Sequence, residues 1–586
     1  MAPPYIRGSS VQGALTRREA ALNMPNRISF APFIAGLSFV AALSSAGLAQ
    51  AADFYVAPTG SDSAAGTMAA PFATIQKGHD SASAGDTVWV RGGTYKTNKQ
   101  VKLSKSGQSD TQRIKFFAYE KELPVVDFSG YVSTNTAADV PAWLVTGSWL
   151  HIRGFEIANV PVGASGDHSI SALRSEGGSN NTYELLNIHH NFGPGLFISK
   201  GTGGNLILNV DSHDNYDKDG SQGDGQNGDG FGVHYQETGP STIIRGCRAW
   251  LDSDDGYDLI SQEVPVIIEN SWAVQNGYAN GGSTSPSSGN GNGFKVGSSQ
   301  KGVRHIVRNN VAWKNKAAGF YANHSSGGND WYNNTSYKNG SQYDMLASPP
   351  GDSASTIILT GDKVHRMRNN IGYPNKNTNM GGVDTMFNTW DLNITESAAD
   401  FVSTSDTDVL GPRQADGSLP NIDYLKLKAG SPLIDKGTDV KLPFVAAAPD
   451  LGADEFGAVK PPTNTGGSSA GGAGPMSGGS SGASNGAGTG NTAGVTGGGT
   501  GSGGGETGLP PGSGGSTNIG SGATNPGTGG SGTTNPGNGS GDPGSADSSD
   551  SGSCSLGGPA RGSSATVLAL LALALGVGRR IKPRRP

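Results

Sequence analysis

Cysteine is almost absent from this sequence, with only Cys247 and Cys554 among its 586 residues. The two lie in segments of different composition, so we expect no disulfide inside a folded domain and expect Cys247 to be a small buried side chain. Long helix-period patterns of apolar residues are also lacking. A disulfide-stapled or mainly helical fold is therefore not expected.

Positive charge is scarce between the two ends of the chain. The formal net charge is −6, and both ends carry a net positive charge, so the middle of the chain is more acidic still. An acidic surface argues against nucleic acid as a partner. It would also repel an acidic polysaccharide unless a cation bridged the two.

Glycine, by contrast, is abundant, with 94 residues, and much of it lies in one segment. Residues 460–553 contain almost only Gly, Ser, Thr, Asn, Ala and Pro, without apolar periodicity. This composition predicts a disordered, flexible linker. We expect one folded domain, over residues 52–459, before it.

The two ends of the chain predict export. An apolar run followed by a small-x-small motif marks residues 1–51 as a signal peptide region, with translation starting at Met1 or Met24. Residues 554–586 contain a cysteine, a short apolar segment and a basic end. This order resembles the C-terminal sorting tail of myxobacterial surface proteins, and a retained transmembrane anchor is the alternative. We expect a secreted or cell-surface protein that meets the membrane only through this tail.

A short phrase recurs within residues 52–459, at steps of 22 to 24 residues interrupted by longer steps of 36 to 40. This period, with Val- and Ile-rich strands punctuated by Asn and Gly, predicts an all-β fold, a right-handed parallel β-helix, in which Asn side chains form a ladder. A leucine-rich horseshoe and a propeller fit less well. We expect residues 73–82 to cap one end of the helix. The copies are Asn187-Ile188-His189, Asn209-Val210-Asp211, Gly246-Cys247-Arg248, Asn270-Ser271-Trp272, Asn310-Val311-Ala312, Asn334-Thr335-Ser336 and Asn370-Ile371-Gly372.

Carboxylates crowd one turn of this repeat. Asp252, Asp254, Asp255 and Asp258 fall within seven residues, and Asp229 precedes Asp254 by 25, about one turn of the helix. Like charges packed this closely predict a bound cation, because repulsion would otherwise force protonation. Carboxylate oxygens favour Ca²⁺ over zinc, which prefers His or Cys. A solvated acidic turn is the alternative, and the one-turn spacing argues against it.

One lysine, Lys295, stands in a Gly- and Asn-rich segment, residues 290–297. Its Gly-Phe context repeats that of Asp229, so both residues are expected on the same side of the helix. A neighbouring Ca²⁺ would disfavour the ammonium form, lower the pKa of Lys295 and make it a proton acceptor. An exposed surface lysine is the alternative.

Three motifs, Asp-Gly-Phe at Asp229, Ser-Asp-Asp-Gly-Tyr-Asp at Ser253 and Gly-Phe-Lys ending at Lys295, resemble polysaccharide lyase family 9 in type and order. The resemblance covers about residues 52–457. It implies a parallel β-helix that cleaves pectate-type polygalacturonate by β-elimination, with Lys295 as the base that removes the proton on carbon 5. Asp252 has no firm counterpart. The calcium ligands implied are Asp229, Asp254, Asp255 and Asp258.

Two alternatives remain open on the sequence alone. One is a rhamnogalacturonan lyase, which would use the same chemistry on another acidic plant-type polymer. The other is a non-catalytic adhesin or polysaccharide-binding surface protein, which would not need Lys295 beside the acidic turn. We expect a monomer. Candidates for contacts with the sugar, each of which could equally be structural, are Arg245, Arg248, Trp250, Trp272, Lys314, Tyr321 and Lys338.

Overall fold

The computed structural model describes residues 51–132, 141–161, 171–218, 224–279, 284–297 and 302–458. The predicted signal peptide region, the linker and the C-terminal tail with its apolar segment lie outside these residues. Among the described residues, no helix combines the length and the apolar character that crossing a membrane requires.

Short strands dominate the described ranges, with one α-helix, α1 (Ile75–Ser81), and four single 3₁₀ turns. In chain order the strands are β1 (Asp53–Val56), β2 (Thr87–Val90), β3 (Gly93–Lys96), β4 (Val101–Leu103), β5 (Ile114–Ala118), β6 (Pro124–Asp127), β7 (Trp143–Val145), β8 (Leu150–Arg153), β9 (Glu156–Ala158), β10 (Leu173–Glu176), β11 (Thr182–Glu184), β12 (Asn187–His189), β13 (Leu196–Ser199), β14 (Leu206–Leu208), β15 (Asp211–His213), β16 (Phe231–His234), β17 (Thr242–Arg245), β18 (Arg248–Trp250), β19 (Tyr257–Ile260), β20 (Val266–Glu269), β21 (Trp272–Val274), β22 (Phe294–Val296), β23 (Ile306–Arg308), β24 (Val311–Trp313), β25 (Ala318–Tyr321), β26 (Asp330–Tyr332), β27 (Thr335–Tyr337), β28 (Ser341–Asp344), β29 (His365–Arg368), β30 (Ile371–Tyr373) and β31 (Val383–Met386). The 3₁₀ turns are Asp110–Gln112, Gly361–Lys363, Met380–Gly382 and Ala398–Asp400.

From β2 onwards, strands that follow one another in the chain belong to different sheets, and each pairs in parallel with a strand one turn away. Sheet 1 runs from β1 and β2 through β5 and β8 to β29 and β31, and has 12 strands. Sheet 2 takes every third strand from β4 to β28, and sheet 3 every third strand from β3 to β30, with 9 and 10 strands. The chain is thus wound into a three-sided coil, which confirms the predicted all-β parallel β-helix.

The core fills the inside of the coil, where side chains at equivalent positions of successive turns stack on one another. In sheet 2 the in-register residues Phe231, Tyr257, Phe294, Phe320 and Tyr343 are all fully buried. Neighbouring ring centroids in this stack are 4.6 to 5.1 Å apart, and the ring planes are nearly parallel. Because alternate residues of a strand face opposite ways, the same strands present a second row of side chains to the outside.

Asparagine recurs in the repeat because it serves two purposes at the turn between sheets 1 and 3. Asn309 and Asn333 have φ of 56° and 52°, a left-handed conformation that Asn tolerates better than most residues. The next residue stacks inward: Asn310 N donates to Asn334 Oδ1 at 3.1 Å, and Asn334 N to Asn370 Oδ1 at 2.9 Å. The predicted ladder is confirmed.

Two steps of the predicted register were wrong. Trp272 pairs with Val311, which makes one step 39 residues long. The match of Asn270 to Asn310 had given 40.

In the other step, Asn187 pairs with Asp211, so this turn is 24 residues long, not the 22 inferred by matching Asn187 to Asn209. The two-residue error arose because both asparagines begin similar phrases, although Asn209 adopts the turn conformation, with φ of 53°, and Asn187 begins a strand.

The N-terminal end of the coil and one of its sides are covered. At the N-terminal end α1 buries Ile75 and His79, and Thr74 caps it by accepting a hydrogen bond from Lys77 N, as expected for residues 73–82. The chain after β31 packs against the outside of sheet 3. There it forms a second apolar cluster with Trp250, Trp313 and other outward residues of that sheet.

Candidate active site

The outer face of sheet 2 carries the predicted site. The register of β16, β19, β22 and β25 places Gly232, Asp258, Lys295 and Tyr321 side by side on successive turns. Lys295 and Asp258 are thus direct neighbours on adjacent strands.

Asp229 precedes β16 and lies against the acidic turn of the next coil. The backbone N of Asp255 donates to Asp229 Oδ1 at 3.1 Å, so Asp229 is aligned with Asp255 and not, as its 25-residue spacing suggested, with Asp254. One carboxylate oxygen each from Asp229, Asp255 and Asp258 lie within 4.8 Å of one another. All three side chains are buried, with exposures of 2% or less.

Asp254 lies at the edge of this group. It does not belong to the set of oxygens within 4.8 Å of each other, and one of its carboxylate oxygens accepts a hydrogen bond from Asn290 N. It is 5% exposed and lies next to the cluster. Its role as a Ca²⁺ ligand stays a prediction.

Lys295 is buried among these carboxylates. Its Nζ lies 3.1 Å from Asp255 Oδ2 and 3.7 Å from Asp258 Oδ1, and it donates to Asn290 Oδ1 at 2.9 Å. Burial by itself would lower the pKa of Lys295, but the surrounding carboxylates outweigh burial and hold it well above its usual value. The predicted lowering of this pKa therefore requires a cation that offsets the carboxylate charge.

The carboxylates of this cluster are buried and repel one another. Burial, followed by mutual repulsion, raises the pKa values of Asp229 and Asp254 well above the usual range, and burial raises that of Asp255 despite Lys295. Asp229 Oδ2 is buried and receives no hydrogen bond from the described residues. A hard divalent cation would satisfy this oxygen and relieve the repulsion, so the donor set fits Ca²⁺.

Asp252, which the sequence left unassigned, is fully buried inside the coil. Its Oδ1 accepts hydrogen bonds from the backbone and side-chain nitrogens of Asn215, at 3.2 and 2.9 Å. Its own backbone N donates to Asn276 Oδ1 at 3.1 Å. It therefore occupies a position in an asparagine ladder and points away from the outer face that carries Lys295.

Sequence reasoning did not assign roles to three polar neighbours of the cluster. Asn290 contacts both Lys295 and Asp254, and Asn292 donates to Asp255 Oδ1 through its backbone N and its side chain, at 2.6 and 2.9 Å. The two asparagines stand in the segment that was singled out around Lys295, which was a usable signal. No sequence signal pointed to His234, whose Nε2 is 3.3 Å from Asp258 Oδ2.

Six of the seven candidates for sugar contacts lie away from this face. Arg245 pairs with Glu269 on sheet 1, Arg248 with Asp211 on sheet 3, and Lys314 with Asp406. The ammonium of Lys338 lies over the ring of Tyr337. Trp250 and Trp272 belong to the apolar cluster outside sheet 3. Only Tyr321 shares the row of Lys295.

A family model described as "Pel9A-like, right handed beta helix region" matches residues 54–378. The chain belongs to polysaccharide lyase family 9. "Pectate lyase L" of Dickeya dadantii (strain 3937) is 34% identical to it over 409 residues, which are 69% of this chain and 90% of that protein.

Two solved structures extend this family relationship. "Crystal structure of pectate lyase Pel9A" superposes with a TM-score of 0.59 at 32% identity, over 70% of this chain and 97% of the other. "Rhamnogalacturonan lyase" superposes with a TM-score of 0.58 at 30% identity, over 64% and 96%. The protein is a polysaccharide lyase, and the predicted alternative of a non-catalytic adhesin is set aside.

Proposed function

We propose that this lyase is a calcium-dependent pectate lyase that cleaves polygalacturonate by β-elimination. The observation that carries the proposal is that Lys295 is buried among three aspartates on the outer face of sheet 2. The printed names of the relatives, pectate lyase above all, support this choice of polymer.

The proposed ligands of Ca²⁺ are Asp229, Asp254, Asp255 and Asp258, and the support is the short distance between three of them together with the unsatisfied Asp229 Oδ2. When bound, Ca²⁺ would supply the positive charge that neutralises both the carboxylates and a substrate uronate and acidifies the proton on carbon 5.

Lys295 is the proposed base. In its neutral form its Nζ would take the proton from carbon 5, the electron pair would form a double bond between carbons 4 and 5, and the glycosidic oxygen on carbon 4 would leave and take up a proton from water. Asn290 and Asp255 fix the position of Nζ. Asn292 in turn orients Asp255. No water attacks the sugar, which separates this reaction from hydrolysis by two carboxylates.

The direct test follows the ultraviolet absorbance of the unsaturated uronide released from polygalacturonate, with calcium and with a chelator. We expect Lys295→Met to lose a factor of roughly 10² to 10⁴ in kcat. Lys338→Met is the matched control, since Lys338 is exposed and lies at sheet 3, and we expect it to behave as wild type. Retention of activity within about tenfold in Lys295→Met would assign the base elsewhere.

A second test measures calcium binding without activity, through the thermal unfolding of the whole protein. We expect calcium to stabilise the wild type, by about 2.7 kcal/mol at a free concentration 100 times its Kd. Asp229→Asn removes one like charge, so it should be as stable as wild type or more so in chelator, and should gain much less from calcium. The control is Asp423→Asn, at an exposed carboxylate. An equal calcium gain in wild type and Asp229→Asn contradicts the site.

Rhamnogalacturonan is the second candidate substrate, because a structure of that name is 30% identical and superposes over 96% of its own length. The same Lys295 chemistry would act on its uronate units. Side-by-side rates on the two polymers choose between them, and absence of product from both would reject the pectinolytic proposal.

We also propose that the enzyme acts outside the cell. The proposal rests on the leader pattern in residues 1–51 and on the apolar and basic segments of residues 554–586. Detection of the enzyme in the cell envelope or medium, and its loss when residues 1–51 are removed, tests it.

A further inference from the structure

We infer that a cavity beside Lys295 on the outer face of sheet 2 is a second carboxylate-binding subsite, which selects a polymer whose neighbouring sugar is also a uronate. The inference rests on the proposed lyase function and deepens it, because it favours homogalacturonan over rhamnogalacturonan.

The cavity adjoins the acidic cluster on the side of the later turns. Its volume is about 360 Å³, and Asn292, Lys316, Tyr321, Asp344 and Lys376 are among the residues that line it. Asn292 also contacts Asp255, and Tyr321 is in register with Lys295. Successive turns of a parallel β-helix are about 4.8 Å apart. The cavity is thus one turn from Lys295, within reach of the sugar next to the one that is cleaved.

Lys316 is the central cation of this cavity. Its half-buried Nζ donates to the backbone carbonyls of Ser287, at 3.1 Å, and Gly289. An ammonium has three N–H donors, so one is left for a ligand. Among the described residues, no carboxylate lies within ion-pair distance of Lys316 or of the exposed Lys376.

The lining carries a net positive charge, although the formal net charge of the whole chain is −6. Asp344 is the one acidic residue in the lining, and it already accepts hydrogen bonds from Asn379 Nδ2 at 2.7 Å and Leu346 N at 3.2 Å. Two lysines against one satisfied aspartate leave a net positive concavity, which attracts an anion. When an acidic polysaccharide is bound for cleavage at Lys295, the carboxylate of the next sugar is the anion that would reach this cavity.

The two candidate polymers differ in this respect. Homogalacturonan carries a carboxyl group on every sugar, whereas the rhamnogalacturonan backbone alternates a uronate with neutral rhamnose. With a uronate at the cleaved position, only homogalacturonan places a carboxylate on the immediate neighbour. Lys316 therefore distinguishes the polymers by a charge that one of them lacks.

Lys316 also fastens the segment that leads to Asn290, through Ser287 and Gly289. A purely positioning role would lower kcat, since Asn290 holds Lys295, and would do so equally on both polymers. A subsite role would raise KM, and only on polygalacturonate. Lys376 makes no hydrogen bond of this kind to the described residues before Asn290, so its variant separates the two roles further.

The test is steady-state kinetics of the full chain with calcium on polygalacturonate and rhamnogalacturonan, for wild type, Lys316→Met, Lys316→Arg, Lys376→Met and the control Lys338→Met. We expect Lys316→Met to raise KM on polygalacturonate by about tenfold or more, as loss of a charge-assisted hydrogen bond does. Lys376→Met should raise it less, Lys316→Arg should restore it in large part, and Lys338→Met should leave it unchanged.

An unchanged KM in Lys316→Met, a fall in kcat alone, or a wild type that prefers rhamnogalacturonan overturns the subsite. Calorimetric titration with tetragalacturonate accompanies the kinetics. If the wild type cleaves neither polymer, the lyase proposal fails by itself. The subsite is then judged by whether the wild type binds tetragalacturonate about tenfold more tightly than Lys316→Met.

Discussion

Asp252 is a carboxylic acid in the place of an amide. The residues at equivalent positions of neighbouring turns are Asn215 and Asn276, and Asn276 passes the ladder on by donating through Nδ2 to Asn315 Oδ1 at 2.9 Å. Asp252 Oδ2 is buried and has no hydrogen-bond donor among the described residues. It stands where an amide NH₂ would donate, so the ladder is continuous only when this oxygen carries a proton. Burial, with a smaller opposing contribution from Asn215, raises the pKa of Asp252 well above its usual range.

We therefore expect the stability of Asp252→Asn, relative to the wild type, to increase as pH rises. A carboxyl group whose folded pKa is raised contributes stability that is full below its unfolded pKa of about 3.9 and is lost as pH rises through the folded pKa. We expect Asp252→Asn to gain on the wild type by about 1.4 kcal/mol per pH unit in that window, because the amide does not titrate.

Denaturant unfolding in chelator at several pH values measures this difference, and the other buried aspartates cancel because both proteins contain them. A constant difference across pH would show that Asp252 does not titrate between the folded and unfolded states. A less stable Asp252→Asn at every pH would show that the ladder does not accept an amide there.

At the scale of the element, the asparagine ladders tie successive turns together from inside the coil. Asn334 Oδ1 accepts hydrogen bonds from the backbone N and the Nδ2 of Asn310. Asn334 Nδ2 in turn donates to Val307 O and to Asn370 Oδ1. It is fully buried. These bonds satisfy backbone groups at a corner where no β-sheet ladder can reach them.

Asn334→Ala should destabilise the protein, because it leaves buried donors and an acceptor without partners at about 1 to 3 kcal/mol each. We expect a loss of about 2 to 4 kcal/mol in the free energy of unfolding, measured by urea denaturation. Asn375→Ala is the matched control, since Asn375 is exposed in the turn after β30. Equal losses in the two variants would mean that the ladder adds nothing beyond side-chain removal.

For the whole molecule, the chain covers one side of the β-helix with an apolar cluster, and this is not the side that carries Lys295. Residues after β31 pack on the outside of sheet 3, where Phe401, Leu427 and Leu433 belong to the same apolar cluster as Trp313. Arg413 fastens this segment through Asp211, at 2.6 Å. The outside of sheet 2, which carries Lys295, is not part of that cluster.

The described coil with its C-terminal cover should suffice for the chemistry. We expect a chain of residues 51–458 to fold and to keep kcat/KM on polygalacturonate within about twofold of the full chain, because a domain with its own core folds without its linker. Circular dichroism and the absorbance assay test this. A folded but inactive fragment would assign residues 459–586 a part in catalysis or substrate capture.

The sequence alone determined the architecture and the family. The period of the repeat, with strand residues punctuated by Asn and Gly, follows from the coil itself, since each turn must reproduce the last to bury its apolar face. The motifs around Asp229, Asp254 and Lys295 likewise come from single strands and turns, where neighbours in sequence are neighbours in space.

Only the tertiary structure decided the alignment between turns and the fate of the isolated polar residues. Similar phrases begin at different positions of a turn, and turns differ slightly in length, so the pairing of Asp229 with Asp255, and of Asn187 with Asp211, needed coordinates. The inward turn of Asp252 and the place of Lys316 and Tyr321 in one cavity did too. Whether a side chain faces the core, a covering segment or the cleft depends on contacts between residues far apart in sequence, and spacing along one chain does not contain that information.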